Sequence, residues 1–225
     1  MKKGIIFTLA AFLFLTGFAQ NSNTEAIALE KEIIKSAKKM GDPAVVTSSM
    51  YRLIALEGDN STYKDSLTYI YFSSRKYASC FLMANEVLTR DPKNEAILEL
   101  KAISLESLGA LDKSLEAFQD LFDISQNNYH GYNLSKLQLS IKKYDEAYKT
   151  IKQVEALNDT GEYKVTFAIN KNHTQQVELL AAISYLKALI EEELNKKVEA
   201  KASFEKALKI QPEFVLAKEK LDAYN

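Results

Sequence analysis

Two histidines, His130 and His173, a single cysteine, Cys80, and the carboxylate run Glu191 to Glu193 are the residues of this chain best suited to metal binding or nucleophilic chemistry. A transition-metal site needs such ligands at short fixed intervals or on one helix face. Neither histidine has a second His, Cys or carboxylate pair at that spacing, and both stand near the ends of connections, so both are expected to be solvated loop residues. Glu191, Glu192 and Glu193 are followed by Lys196 and Lys197 at about one helical turn, the arrangement of ordinary helix-surface ion pairs. Cys80 stands in an apolar helical stretch with nothing beside it to lower its pKa, and such a thiol packs as a small hydrophobe. Ser-x-x-Lys recurs, as in Ser36 with Lys39 and Ser203 with Lys206, but without the companion Ser-Asp-Asn and Lys-Thr-Gly motifs of a penicillin-recognising nucleophile. Seven scattered glycines make no phosphate loop. No catalytic residue, metal or cofactor is expected.

The elements that carry these residues are helices. Gly 7 and Pro 3 in 225 residues leave few breakers, whereas Ala, Leu, Lys and Glu recur throughout. The 29 basic and 30 acidic residues nearly cancel, so no global field would draw in nucleic acid, which is not expected as a partner. With one cysteine no internal disulfide forms, and stability must come from packing.

The first nineteen residues read as an export signal: Lys2 and Lys3, then an apolar run from Ile5 to Phe18, then small residues ending at Ala19, where cleavage is expected. The run is shorter than the roughly 20 residues of a spanning helix, and no second run of that length follows. Loss of Lys2 and Lys3 takes the net charge from −1 to −3. The mature chain, residues 20–225, is expected to form one soluble domain in the periplasm or outside the cell, with no integral membrane segment.

Within it the helix stops are periodic. Gly58-Asp59-Asn60, Asp91-Pro92-Lys93-Asn94 and Gln126-Asn127-Asn128 lie 34 positions apart. Between two stops, Ile97, Leu100, Leu105 and Leu108 precede Gly109, and Leu115, Phe118, Leu121 and Phe122 follow it, which reads as helix, tight turn, helix. Such a pair buries its apolar faces only by stacking on neighbours.

These units resemble tetratricopeptide repeats. In residues 61–94, Leu67-Thr68, Tyr71, Tyr77, Cys80 and Pro92 occupy the family's marked positions. In 95–128, Ala102, Leu105, Gly109, Ser114 and Phe118 do so, with Gln126 in place of the usual proline. Tyr144-Asp145-Glu146-Ala147 with Ile151 and Val154, and the stretch from Glu199 to Pro212, match the second helix of a repeat. The resemblance implies an all-α fold: a right-handed superhelical solenoid of stacked antiparallel helix pairs, with about five units at 27–60, 61–94, 95–128, 129–160 and 175–212. A capping helix at 213–224 closes it, carrying Phe214, Val215, Ala217 and Leu221. Between the fourth and fifth units, residues 161–174 break the period. Tyr163, Val165, Phe167 and Ile169 alternate with polar residues, as in a half-buried extended strand. This insertion either contacts a partner or covers a groove between helices.

The resemblance also implies a concave face lined by the first helix of each pair, which selects Lys31, Lys35 and Lys38, then Tyr69 and Phe72, then Glu99, Ile103 and Glu106, then Tyr132 and Lys136. Lys35 and Lys38, with Lys39, also suit the C-terminal end of a helix that begins with Glu25 and Glu30. The carboxylate grip of the co-chaperone members is not expected, because Lys35, Ala96 and Leu100 stand where asparagine, lysine and arginine are needed. The expected function is that of a non-catalytic scaffold of the bacterial envelope that holds a protein or peptide and is open to self-association. A module for a cell-wall glycan, stacked on Tyr69 and Tyr132, is the alternative.

Overall fold

Five backbone turns define the architecture, each built the same way from different residues. Gly41, Arg75, Gly109, Lys142 and Asn195 all adopt left-handed φ, between +57° and +74°. The first three lie 34 positions apart, the next follows after 33, and the last after 53 because the non-helical insertion intervenes. At each, the amide of the turn residue bonds back three positions and the next amide bonds back five, as in Asp42 N to Ala37 O at 2.9 Å and Lys196 N to Glu191 O at 2.8 Å. This is the Schellman closure of a helix C-terminus. Arg75, Lys142 and Asn195 accept a left-handed backbone that glycine adopts freely, so tertiary packing overrides a local preference of about 1–2 kcal/mol.

The computed structural model describes residues 23–157 and 163–224. The expected signal segment 1–19 lies outside the described residues, as do Gly161 and Glu162 of the insertion. The chain forms two compact units, divided after Pro92. The first holds α1 (residues 23–40), α2 (Pro43–Glu57), α3 (Tyr63–Ser73) and α4 (Tyr77–Arg90). The second holds α5 (Glu95–Ser107), α6 (Leu111–Ser125), α7 (Asn128–Ser140), α8 (Tyr144–Glu155), a β-hairpin of β1 (Lys164–Ala168) and β2 (Thr174–Glu178), then α9 (Leu179–Glu193), α10 (Lys197–Ile210) and α11 (Val215–Asp222). Helix starts are fixed locally: the Asp42 carboxylate accepts the Ala44 and Val45 amides at 3.1 Å ahead of Pro43, and Asn94 and Asn127 cap α5 and α7 in the same way. Consecutive helices pack as antiparallel pairs, α3 on α4, α5 on α6, α7 on α8 and α9 on α10.

Counting from each turn residue shows where the core sits. Five positions on stand Val46, Cys80, Ser114, Ala147 and Ala200, the last four fully buried, because only a small side chain fits where the two helices of a pair come closest. Twelve positions on stand Leu53, Val87, Leu121, Val154 and Ala207, all with no exposed surface. Cys80 is thus the packing residue its sequence context suggests, with 0% exposure.

Two expectations fail here. Glu191 is not a surface residue: it is 1% exposed, at the position held by Tyr71 and Leu105 in other pairs, with the Ser203 hydroxyl donating to its carboxylate at 2.6 Å. The serine from α10 is what makes burial tolerable. Burial pushes the Glu191 pKa up against the opposing effects of the Ser203 hydrogen bond and Lys187, with Glu155 and Glu199 adding to the rise. A carboxyl with a raised folded pKa stabilises the fold below its unfolded pKa and loses that contribution as pH rises through the folded value. Glu191→Gln is therefore expected to melt higher than the parent at pH 7, with the two curves converging as pH falls below the ordinary value of 4.5. Equal melting temperatures at both pH values would dismiss the effect. His130, the second failure, lies in the first turn of α7 rather than in a loop. It is 7% exposed with Nδ1 2.8 Å from Ser125 Oγ, and burial lowers its pKa although Glu95 opposes this. His173 is exposed at the hairpin tip, as expected.

Candidate partner-binding faces

The residues ten, six and three positions before each turn residue form one face of each first helix. In the first unit this face is open. Lys31, Lys35 and Lys38 on α1 are all exposed. Lys31 is 3.6 Å from Glu57 and Lys35 is 3.5 Å from Glu32, both partly solvated pairs that fix little. Lys38 has no ion-pair partner among the described residues. It borders an apolar cavity of about 350 Å³ with Pro43, Val46 and Ile70. On α3, Tyr69 is 49% exposed and Phe72 is half-buried, its ring 6.1 Å from Tyr77 in an edge-to-face arrangement. The helix packing of this unit thus presents a row of cations, an exposed phenol and an apolar hollow.

In the second unit the equivalent face is partly closed. Glu99, Ile103 and Glu106 on α5 are half-buried, and burial raises the Glu99 pKa. On α7, Lys136 is exposed, but Tyr132, which the sequence offers as a stacking group, is only 3% exposed. Its hydroxyl pKa is raised by burial, with Tyr129 and Tyr185 adding to it. Tyr132 is buried where α6, α8 and α9 pack on α7, and the two rings beside it, Tyr129 and Tyr185, are in turn packed against the hairpin. Tyr163 stacks on Tyr129 with centroids 4.7 Å apart and planes 9° apart, and Phe167 meets the edge of Tyr185 at 5.6 Å and Phe214 at 5.0 Å. The rings around Tyr132 are therefore occupied from within the chain.

The four insertion residues Tyr163, Val165, Phe167 and Ile169, in and beside β1, are all half-buried and alternate with exposed neighbours. The extended segment does not end at Thr174. A second strand pairs antiparallel with the first, Val165 opposite Val177 and Thr166 opposite Gln176, and runs without a break into α9. Sequence reading missed β2 because Thr174-Gln175-Gln176-Val177-Glu178 has one apolar residue, Val177, and this is fully buried. Its outer edge is sealed by a side chain: Gln211 donates to Gln176 O at 3.1 Å and accepts from Glu178 N at 2.9 Å, standing in for a third strand. Gln175 reaches Glu213 O and Val215 N in the same region.

Among the described residues no group of three or more His, Cys, Asp or Glu is arranged to hold a metal ion, and no helix is long and apolar enough to cross a membrane.

Residues 181–214, which comprise α10 and most of α9, match the tetratricopeptide repeat family. Several solved structures share the fold. One of MamA is 13% identical, aligned over 90% of this chain and 97% of its own with a TM-score of 0.65. YrrB, described as a tetratricopeptide-repeat protein with an unusual peptide-binding site, is 16% identical over 88% of this chain and 96% of its own, TM-score 0.65. A tetratricopeptide repeat protein from Parabacteroides merdae is 16% identical over 88% and 71%, TM-score 0.65. No curated protein matches the chain.

Proposed function

We propose that this chain, which carries a tetratricopeptide repeat and folds as a series of such helix pairs, is a non-catalytic scaffold of the bacterial envelope that holds a protein or peptide. The observation that carries the reading is the open face of the first unit, where Lys31, Lys35 and Lys38 run along α1 beside the exposed Tyr69 and the cavity at Lys38. That combination suits an extended acidic segment with one apolar or aromatic anchor. The peptide-binding site named for YrrB supports the same class of ligand. The alternative, a glycan stacked on Tyr69 and Tyr132, is disfavoured because Tyr132 has no surface to offer. Placement in the envelope rests on Lys2, Lys3 and the apolar run ending at Ala19.

Crosslinking in intact cells, followed by mass spectrometry, is expected to recover a recurring protein partner. Reversing Lys31, Lys35 and Lys38 to glutamate in a Tyr69→Ala background is expected to cut recovery about tenfold or more, with the loss growing as salt is lowered. Unchanged recovery from a variant with a native circular dichroism spectrum would remove this face from the proposal. N-terminal sequencing of the fractionated protein should read from Gln20, and a cytoplasmic protein that keeps its first nineteen residues would overturn the placement.

A further inference from the structure

The two edges of the hairpin differ. In an antiparallel ladder, alternate residues turn their N–H and C=O groups toward the partner strand or away from it. At the tip Ile169 N bonds His173 O, and on β2 the groups of Gln176 and Glu178 turn outward to Gln211. The register therefore turns Lys164, Thr166 and Ala168 outward on β1. All three residues are exposed, and their outward backbone groups have no partner among the described residues. One edge is sealed and the other is an open template for another strand.

We propose that the open edge of β1 pairs with β1 of a second copy of this chain, antiparallel about a two-fold axis through Thr166, to give a four-stranded sheet in the order β2, β1, β1, β2. The strand is self-complementary in this register. Thr166 faces Thr166, Val165 faces Phe167 twice, and Lys164 faces Ala168 twice, so every outward group meets an outward group and no lysine opposes a lysine. Threonine pairs and aromatic with β-branched pairs are the favourable cross-strand combinations. Moving the axis to Lys164 would bring two cations together, and moving it to Ala168 would run the pairing into the Asn170–His173 turn, whose backbone is already folded on the Asn170 side chain. Lys164 is also held by Glu178 of its own hairpin at 3.0 Å, which reduces its charge toward the incoming strand. A five-residue strand makes a small interface, so the association belongs to the weak, concentration-dependent class.

Sedimentation velocity of the purified chain from about 1 μM to about 1 mM is expected to show its mean mass rising toward that of a dimer. Thr166→Lys and Thr166→Glu each place like charges on the axis and are each expected to weaken self-association about tenfold or more, while an equimolar mixture restores it. Both variants lose the hydrogen bond from Gln176 to the Thr166 hydroxyl, so only the two-fold pairing accounts for recovery in the mixture. The proposal is overturned by a chain that stays monomeric throughout, by a dimer indifferent to both substitutions, or by a mixture that remains monomeric. It is also overturned, in favour of a foreign strand, if the Lys164, Thr166 and Ala168 amides gain exchange protection only on addition of a peptide of unrelated sequence.

Discussion

A Gly131→Val chain is expected to lose about 3 kcal/mol or more from the second unit, enough to leave it partly unfolded at 25 °C. Gly131 lies inside α7 with an ordinary helical backbone, and a β-carbon there would stand 2.6 Å from Cε2 of Phe122 and closer still to the Val154 side chain. Both neighbours are core residues, Phe122 at 4% and Val154 at 0% exposure, so neither can give way without opening the packing of α6 and α8 on α7. The contrast is Gly109→Ala. Its β-carbon would meet nothing within 4 Å, and its cost, about 1 kcal/mol, comes only from a backbone held at φ +74°. Urea unfolding monitored by circular dichroism distinguishes the two. A Gly131→Val midpoint within error of the parent would mean that α6 and α8 can part from α7 at little cost.

The second large effect is expected at Phe214, the residue ahead of α11 and fully buried. Its ring is 5.0 Å from Phe167 of the hairpin and 4.9 Å from Tyr185 of α9, so it ties the hairpin and α9 to the start of α11. Phe214→Ala is expected to cost about 3–4 kcal/mol, from lost burial and the cavity left behind. The loss should have a local signature: amides of Val165, Phe167 and Val177 exchange faster than those of α5 and α6, because Phe214 holds the hairpin down. Phe167→Ala should cost less, since Phe167 is only half-buried, and a double-mutant cycle should return a coupling of about 0.5–1.5 kcal/mol. A cycle that closes to zero, or uniform acceleration of exchange, would mean that the hairpin is held elsewhere, at the Tyr163–Tyr129 stack or at Gln211.

These two sites also mark the limits of reading the chain as a string. Gly109 and Gly41 announce themselves as turn residues by position, but nothing near Gly131 does: the segment Asn128-Tyr129-His130-Gly131 looks like a connection, and is the first turn of a helix whose polar face is buried. His130, in the same turn, is buried for the same reason. The residues selected for the concave face divide likewise. Lys31, Lys35, Lys38 and Tyr69 lie exposed, because their surroundings are set by one helix and its immediate neighbour. Tyr132 occupies the matching position on α7 and is buried, because three other helices, α6, α8 and α9, pack on α7 around it. Glu191 sits in an acidic run that reads as a surface, and the Ser203 hydroxyl from α10, together with the charge of Lys187, offsets its burial.

Legible in the residues alone was what is local and periodic: the 34-residue spacing of the stops, the small residues at Cys80 and Ser114, and the alternation that marks β1. Each depends on groups within a helical turn or one helix pair, where spacing and side-chain size are sufficient. Tertiary structure alone decided which alternating strand found a partner, which aromatic remained exposed and which carboxylate went inside. β2 carries a single apolar residue and is held by Gln211, about 35 positions away, and an amide bonded across that distance leaves no mark on the pattern of either segment.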